Sequence, residues 1–291
     1  MKRIATVLII LCLSAAILQA DPWEKTLDLG FNLTQNTYSD SWSGGEAGNV
    51  TWVARADGMF TKQFSPAVNF KSTLKFAFGQ THNQDAGTKN WAKPEKSTDK
   101  IDIENLFRLT YGWAVDPYFA VRYESQFLDA SVEGINRYFN PMLFTESAGI
   151  SHVLYKTETD ELLTRLGIAF RQDIMSVIVD TVADERDWET ATDGGIESVT
   201  DFKYTISEQL NYIGKLSLFK ALIYSDKDLF EGTPMEDDWK SVDVNFENTF
   251  SASVAKYISV SLYIQFLYDK QIDKRGRFKE TLAMGLTYKL F

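Results

Sequence analysis

The sequence predicts an all-β fold: a transmembrane antiparallel up-and-down β-barrel of about twelve strands. Three observations carry that expectation. Segments near ten residues long place apolar side chains at every second position, the length and period of a tilted strand crossing the apolar slab of a membrane. The connectors between them alternate long and short, and the chain finishes on Thr281-Leu282-Ala283-Met284-Gly285-Leu286-Thr287-Tyr288-Lys289-Leu290-Phe291, alternating in period two up to an aromatic residue.

The first residues read as a targeting segment. Met1-Lys2-Arg3 is a positive start, Ile4 to Ile17 is apolar, and Leu18-Gln19-Ala20 offers a small residue for cleavage. A signal peptide over 1–20 is expected, with 21–291 forming one outer-membrane barrel domain. The apolar run is shorter than the ~20 residues a spanning helix needs. Cys12 lacks the small preceding residue of a lipidated cysteine, since Ile10-Leu11 stands there. Cleavage would remove the single cysteine along with Lys2 and Arg3, making a chain of net charge −10 more acidic still. Disulfides and thiolate catalysis are thereby excluded. No nucleic-acid partner is expected either, because an acidic surface repels a phosphate backbone. With no later long apolar run, a membrane can be crossed only as a closed barrel.

The apolar sets, taken in order as lipid-facing, begin with Leu27, Leu29, Phe31 and Leu33, then Val50, Trp52, Ala54 and Ala56, then Val68, Phe70, Leu74, Phe76 and Phe78. Ile101, Ile103, Phe107, Leu109 and Tyr111 make the fourth set, and Phe119, Val121, Tyr123 and Phe127 the fifth. The sixth is vague around Phe144, Ala148 and Ile150; the seventh holds Leu162, Leu166, Ile168 and Phe170, and the eighth Phe202, Tyr204 and Ile206. The ninth, Leu216 to Tyr224, is apolar on both faces, so its register stays open. Val242 to Phe250, Ile258 to Phe266 and Leu282 to Leu290 complete the series. The even-numbered last set leaves Phe291 out of phase, which a terminal bulge or an inward-turned residue would explain.

Alternation alone also fits a soluble sandwich, and the connectors break the tie. Residues 36–48, 83–100, 130–141, 175–197, 226–239 and 270–277 are expected as the longer loops, with 61–67, 114–117, 157–160, 211–214 and 255–256 as short turns. Long loops on one rim and short turns on the other are the outer-membrane arrangement, with both termini periplasmic for an even strand count. Tyr111, Trp113, Tyr118, Phe119, Tyr155, Tyr212 and Tyr257 fall beside the short turns, and Tyr38, Phe78, Phe127, Phe170, Tyr224, Phe266 and Tyr268 beside the long loops, as two interfacial belts would.

The stretch Leu33-Thr34-Gln35-Asn36-Thr37-Tyr38-Ser39-Asp40-Ser41-Trp42-Ser43-Gly44-Gly45 resembles the opening of an uncharacterised outer-membrane β-barrel family, domain of unknown function 3078, in which a strand ending in Thr/Ser-Gln leads to a Trp-x-Gly-Gly loop. Further echoes are Ser97-Thr98-Asp99-Lys100, Tyr123-Glu124-Ser125-Gln126-Phe127 and Asn140-Pro141. The resemblance covers most of the chain after the targeting segment, and only the first motif is specific. It implies a barrel in a diderm envelope and brings no established activity.

The inward face is where transport would be written. The alternation assigns to it Arg55, Asp57, Lys71, Lys75, Asp102, Glu104, Arg108, Arg122, Glu124, Arg165, Arg171, Asp173, Asp243 and Glu247, both signs in comparable number. A tight turn at 114–117 would set Arg108 beside Glu124 with Arg122 diagonal to them, since like charges directly opposite are unfavourable. The expected function is a narrow passive channel for small solutes with a mixed-charge lumen. Its partners would be outer-membrane lipid and the barrel-assembly machinery, which would read the C-terminal strand through Tyr288 and Phe291.

A second reading is a non-conducting barrel whose acidic loops, rich in Asp and Glu over 180–193 and 226–238, bind an extracellular partner. Their spacing lacks the glycine and closing Glu of a Ca²⁺ loop, so no metal or cofactor is expected. Trp42, Gly44 and Gly45 read as a tight turn anchored to the rim. A lipid-active enzyme is the least supported reading. His82 and His152 are the only histidines, and neither heads a His-x-Ser pair that would share one strand face.

Overall fold

The computed structural model describes residues 23–39, 46–181 and 183–290. Wherever apolar residues alternate with polar ones, the chain is a strand: β1 (Glu24–Asn36), β2 (Asn49–Ser65), β3 (Val68–Asn83), β4 (Glu95–Leu109) and β5 (Asp116–Ser125). β6 (Asp129–Val132) and β7 (Ile135–Arg137) pair only with each other. The wall resumes with β8 (Met142–Lys156), β9 (Glu161–Asp180), β10 (Glu185–Thr205), β11 (Leu210–Tyr224), β12 (Val242–Ala255), β13 (Ile258–Asp269) and β14 (Asp273–Lys289). Apart from β6 and β7, these strands form one closed barrel of twelve, each antiparallel to its neighbours, with β5 joined to β8 and β14 returning to β1. Among the described residues no helix is long and apolar enough to cross a membrane.

Burial is inverted relative to a water-soluble protein. Ile168 is 71% exposed, Leu282 69% and Met284 67%, while Arg165 is 1% exposed and Glu247 3%. In water such an outer belt would be untenable; in lipid it is the favourable face, and the charges gather inside. Aromatic rings mark the rims of the belt. Around the short turns Trp23 packs edge-on to Phe64, Tyr204 stacks between Tyr155 and Tyr212, and Tyr257 stacks on Tyr288. Toward the loops Phe78 meets Trp52 and Phe127, and Tyr123 meets Phe144. Since Asp28 pairs with Lys289, both ends of the described wall lie on the short-turn rim.

Several expectations change. The β4–β5 turn runs over 110–115, not 114–117, so Asp102 rather than Arg108 faces Glu124, and Glu104 faces Arg122. Arg108 sits opposite Tyr118 instead. Tyr118 does not join a belt: it points inward at 5% exposure. The expected loop over 175–197 is mostly strand, because β9 runs to Asp180 and β10 starts at Glu185. β8 begins opposite Ile174 and β11 ends opposite Asp193, so the tips of β9 and β10 project beyond both neighbouring wall strands as a hairpin. Lys100, expected in a loop, lies within β4, and 270–277 is mostly the start of β14. The expected signal peptide, Trp42, Gly44, Gly45 and Phe291 fall outside the described residues.

One inward contact depends on missing side chains. Tyr118, Gly149 and Gly167 lie side by side on β5, β8 and β9, and the two glycines leave the phenol a flat bed. A Cβ on Gly167 would stand 2.7 Å from the Tyr118 hydroxyl oxygen and would strike the Ala148 carbonyl. Tyr118 packs in turn with Leu106, Ala120 and Leu163, the apolar patch of the lumen. Gly167→Val therefore crowds this patch and should destabilise the barrel by about 1–3 kcal/mol, read as a lower urea midpoint. Ala120→Gly, which adds no bulk there, should shift it less.

Candidate functional site

Inward residues from facing walls meet across the lumen in a charged layer. β4 contributes Lys100, Asp102 and Glu104 at every second position, which is how a single strand sends three charges into the interior. Glu104 accepts from Arg165 of β9 at 2.7 Å and from Lys215 of β11 at 2.6 Å. Arg165 also reaches Asp201 of β10 at 3.4 Å. Arg122 of β5 donates two bonds to Asp102, at 3.0 and 2.9 Å, and pairs with Glu124 at 2.9 Å. Glu247 of β12 accepts from Lys75 of β3 at 2.8 Å and from Lys100 at 2.5 Å.

The strand order gives these pairs their meaning. In the ring of twelve, β4 and β12 stand six places apart, directly opposite, so the Lys100–Glu247 pair spans the whole lumen. Lys75 to Glu247 and Glu104 to Lys215 each span five places. Buried charges of this kind are tolerated only when paired, since an isolated ion loses several kcal/mol of solvation. The layer is therefore self-neutralising and braces opposite walls.

Smaller groups lie above and below it. On the short-turn side Lys71 meets Glu161 at 3.0 Å, and Arg108 bonds Asn69 at 3.1 Å and approaches Asp116 at 3.7 Å. On the loop side Arg171 donates to Asp193 at 2.8 and 2.5 Å and to Asp243 at 3.0 Å, its guanidinium lying 3.6 Å from the centre of the Phe219 ring. Trp239, from the loop between β11 and β12, packs on Phe219 and Ala221. That loop, with short 3-10 turns at Lys227–Phe230 and Asp238–Lys240, thus dips into the mouth, held by Asp238 to Lys270 at 2.8 Å. Asp57 stands in register between Asp28 and Lys75, Arg55 reaches Ser261 at 3.0 Å, and Asp173 keeps a buried oxygen without a partner.

The lumen thus contains every charged residue the alternation assigned to it, but the partners differ. Arg108 belongs to the rim group and not with Glu124. The alternation did not assign Lys100, Glu161, Asp201 or Lys215 to the lumen, and Asp193, expected in an acidic loop, pairs instead with Arg171. Lys215 carries a readable signal, since it shares parity with Ser217 and Phe219, and fixing that register would have found it.

The β6–β7 hairpin closes a flank of the loop rim. Asn140 accepts from the Ser176 N–H at 2.6 Å and donates to Asp129 at 2.7 Å, while Arg137 donates to the Ser176 carbonyl and pairs with Asp129 at 2.6 Å. Side chains thereby satisfy the backbone of β9 just where β8 no longer accompanies it. Burial works to raise the Asp129 carboxyl, but hydrogen bonds from Asn140 and from the Ser131 N–H outweigh it and hold the group below the ordinary Asp range.

The closed ring, apolar outside and charged within, defines a transmembrane β-barrel of the outer-membrane type. A sequence family described as protein of unknown function (DUF3078) matches residues 33–130, from the end of β1 to the start of β6. That match and the closed twelve-stranded barrel fit this uncharacterised outer-membrane barrel family. No curated protein matches the chain. Similar solved structures include an outer membrane channel from Pseudomonas putida F1, 12% identical over 93% of this chain and 96% of that one, with a TM-score of 0.41. The translocator domain of the autotransporter NalP from Neisseria meningitidis is 7% identical over 99% and 95%, with a TM-score of 0.37. OmpF of Salmonella typhi in complex with daunomycin is 10% identical over 92% and 97%, with a TM-score of 0.29.

Two predictions follow from this geometry. Arg165→Met takes from Glu104 one of its two cations, leaving Lys215, and from Asp201 its partner; it should cost about 1.5–3 kcal/mol in urea unfolding, whereas Arg165→Lys, which keeps a cation there, should cost less. For the hairpin, a depressed carboxyl stabilises fully above the ordinary Asp pKa of about 3.9 and loses that contribution as pH falls through its lowered value. A nitroxide at exposed Tyr138 should therefore stay restricted at pH 5 and loosen only once the pH falls below the ordinary Asp range.

Proposed function

We propose that the protein is a narrow passive channel for small solutes across the outer membrane, constricted at its charged layer. Its termini would face the periplasm and its projecting hairpin the exterior. The outer belt would lie in lipid, and the C-terminal strand with Tyr288 and Phe291 would engage the barrel-assembly machinery. The observation that carries the reading is the Lys100–Glu247 pair between opposite walls. Where single ion pairs span the bore, passage is limited to what threads between charged groups of both signs, and each group removed should alter the current in a defined direction.

The competing reading, a sealed barrel that binds a partner, is favoured by one feature: the hairpin tip stands clear of the wall with Val179 and Trp188 exposed. An enzymatic reading gains nothing from the geometry. Ser151 is turned inward to the Asp116 carbonyl, and His152 lies on the opposite, outer face.

Single-channel recording in a planar bilayer tests the channel. Discrete steps are expected, and the double change Lys100→Ala with Glu247→Ala should raise unitary conductance about twofold or more. Lys100→Ala alone leaves Glu247 in excess and should shift the reversal potential toward cations; Glu247→Ala alone should shift it toward anions. Silence from folded, inserted wild-type barrels and from the double variant would overturn the reading.

A further inference from the structure

The ring is not equally closed all the way round. β1 pairs with β2 over its full length, from Glu24 with Thr61 to Asn36 with Asn49. With β14 it pairs only from Asp28 with Lys289 to Phe31 with Leu286. Just above, Gly285 still abuts Asn32, and a Cβ there would collide with the Phe31 carbonyl. From that point to Asn36 and Thr281 no ladder joins the two strands among the described residues. Five residues of strand correspond to roughly 16 Å of wall.

The surroundings of this gap have a definite chemistry. On the membrane side its lips are apolar: Leu33 at 54% exposure, Leu282 at 69% and Met284 at 67%. One strand away on the same outer face, Val50, Trp52, His82 and Trp91 line an open, mainly apolar groove beside Leu33 and Gln35. On the lumen side Asn32, Thr34, Asn36 and Thr281 are polar. Lys279 and Arg277 follow on the same face of β14 and form no ion pair within 4 Å among the described residues. The Arg277 Nε is buried without a hydrogen-bond partner. Below the gap the seam is strapped: Arg55 crosses the bare Cα of Gly30 to bond Ser261 of β13, at 3.0 Å. Open edge groups facing hydrocarbon are costly unless something polar meets them.

We propose that the upper β1–β14 seam is a lateral passage through which a single-chain amphiphile with an anionic head group moves between the lumen and the surrounding leaflet. The tail would lie along Leu33, Leu282 and the Trp52–Trp91 groove, while the head would be held inside by Lys279 and Arg277. The central layer, with its cations already paired to carboxylates, has nothing comparable to offer an anion. This passage rests on the barrel reading but not on conduction through the central layer.

The test uses spin labels and a staple. Leu33 and Met284 would face each other if the lower register continued, as Phe31 and Leu286 do. In lipid vesicles, nitroxides at Leu33→Cys and Met284→Cys should lie farther apart, with a broader distribution, than those at Phe31→Cys and Leu286→Cys. A disulfide between Thr34→Cys and Ala283→Cys should zip the seam and slow barrel-dependent transfer of dodecanoate and dodecyl phosphate at least fivefold, with recovery on reduction and with ionic conductance unchanged. Should that staple fail to form, Ala283→Trp fills the gap and should slow transfer to the same degree. Heat-modifiable mobility on gels reports that each variant is folded. Equal label distances in the two pairs, transfer indifferent to staple and filler, or equal transfer of dodecyltrimethylammonium would each overturn the proposal. If dodecanoate alone transfers, the head group is a carboxylate; if dodecyl phosphate alone does, it is a phosphate. Lost conductance with intact transfer would count against the channel and leave the passage standing.

Discussion

Every peptide group of a strand immersed in lipid must find its partner within the protein, because the hydrocarbon offers none. The rest of this structure follows from that constraint. It forces the strands into a ring, and once the ring is closed the two-residue period of the strand splits each sequence into a lipid face and a lumen face. Leu282, Met284 and Leu286 go out, while Thr281, Ala283 and Gly285 go in, with no further choice to make. The same split places Lys100, Asp102 and Glu104 into the interior from a single strand; Asp102 is neutralised by Arg122 of the adjacent strand, but Glu104 and Lys100 take Lys215 and Glu247, more than 100 positions away in sequence.

That requirement explains the mixed sign of the layer. A ring of one charge would leave each group desolvated and repelled, whereas alternating partners satisfy one another at the cost of narrowing the bore. Glu104 shows the logic in miniature: it holds two cations from two strands, one of them Arg165, which is almost wholly removed from solvent. Bulk is managed in the same way. Where a large side chain must lie flat against the wall, a glycine receives it, as Gly167 does for Tyr118 and Gly30 for Arg55.

The ring and the layer were unequally legible in the sequence. Period-two alternation and the spacing of connectors suffice for the strand count, for the shared rim of the termini and for the inward set, since these are local properties. Pairing was not, because register depends on turn length. Placing the turn over 110–115 rather than 114–117 puts Asp102 instead of Arg108 opposite Glu124, a slide of six residues that rewrites every ion pair between β4 and β5. Contacts across the bore were further out of reach. Nothing local to Lys100 or Glu247 states that their strands face each other; only the closed order of twelve does. The strands of the projecting hairpin were missed for a different reason. Beyond Ile174 they run past the neighbouring strands of the wall, and there polar residues such as Asp187 and Glu189 replace the apolar alternation that marks a strand elsewhere.

The β1–β14 seam is the one place where the closure rule is relaxed, and it is also where the two ends of the wall meet. All other neighbours in the ring are joined by a turn or loop that helps set their register; β1 and β14 have only side chains and four backbone pairs to hold them. Their lower half is secured by the Arg55 strap and by the Leu290 N–H donating to the Leu27 carbonyl at 2.9 Å. A seam with a fixed lower half and an unpaired upper half would open, under the proposal, as a slit rather than as a gap in the whole wall. A slit bordered by Leu33, Leu282 and Met284 outside and by Lys279 and Arg277 inside presents a tail-shaped surface to the membrane and a head-shaped one to the lumen. A constriction at the charged layer, as proposed, would act along the axis and would leave that sideways route untouched.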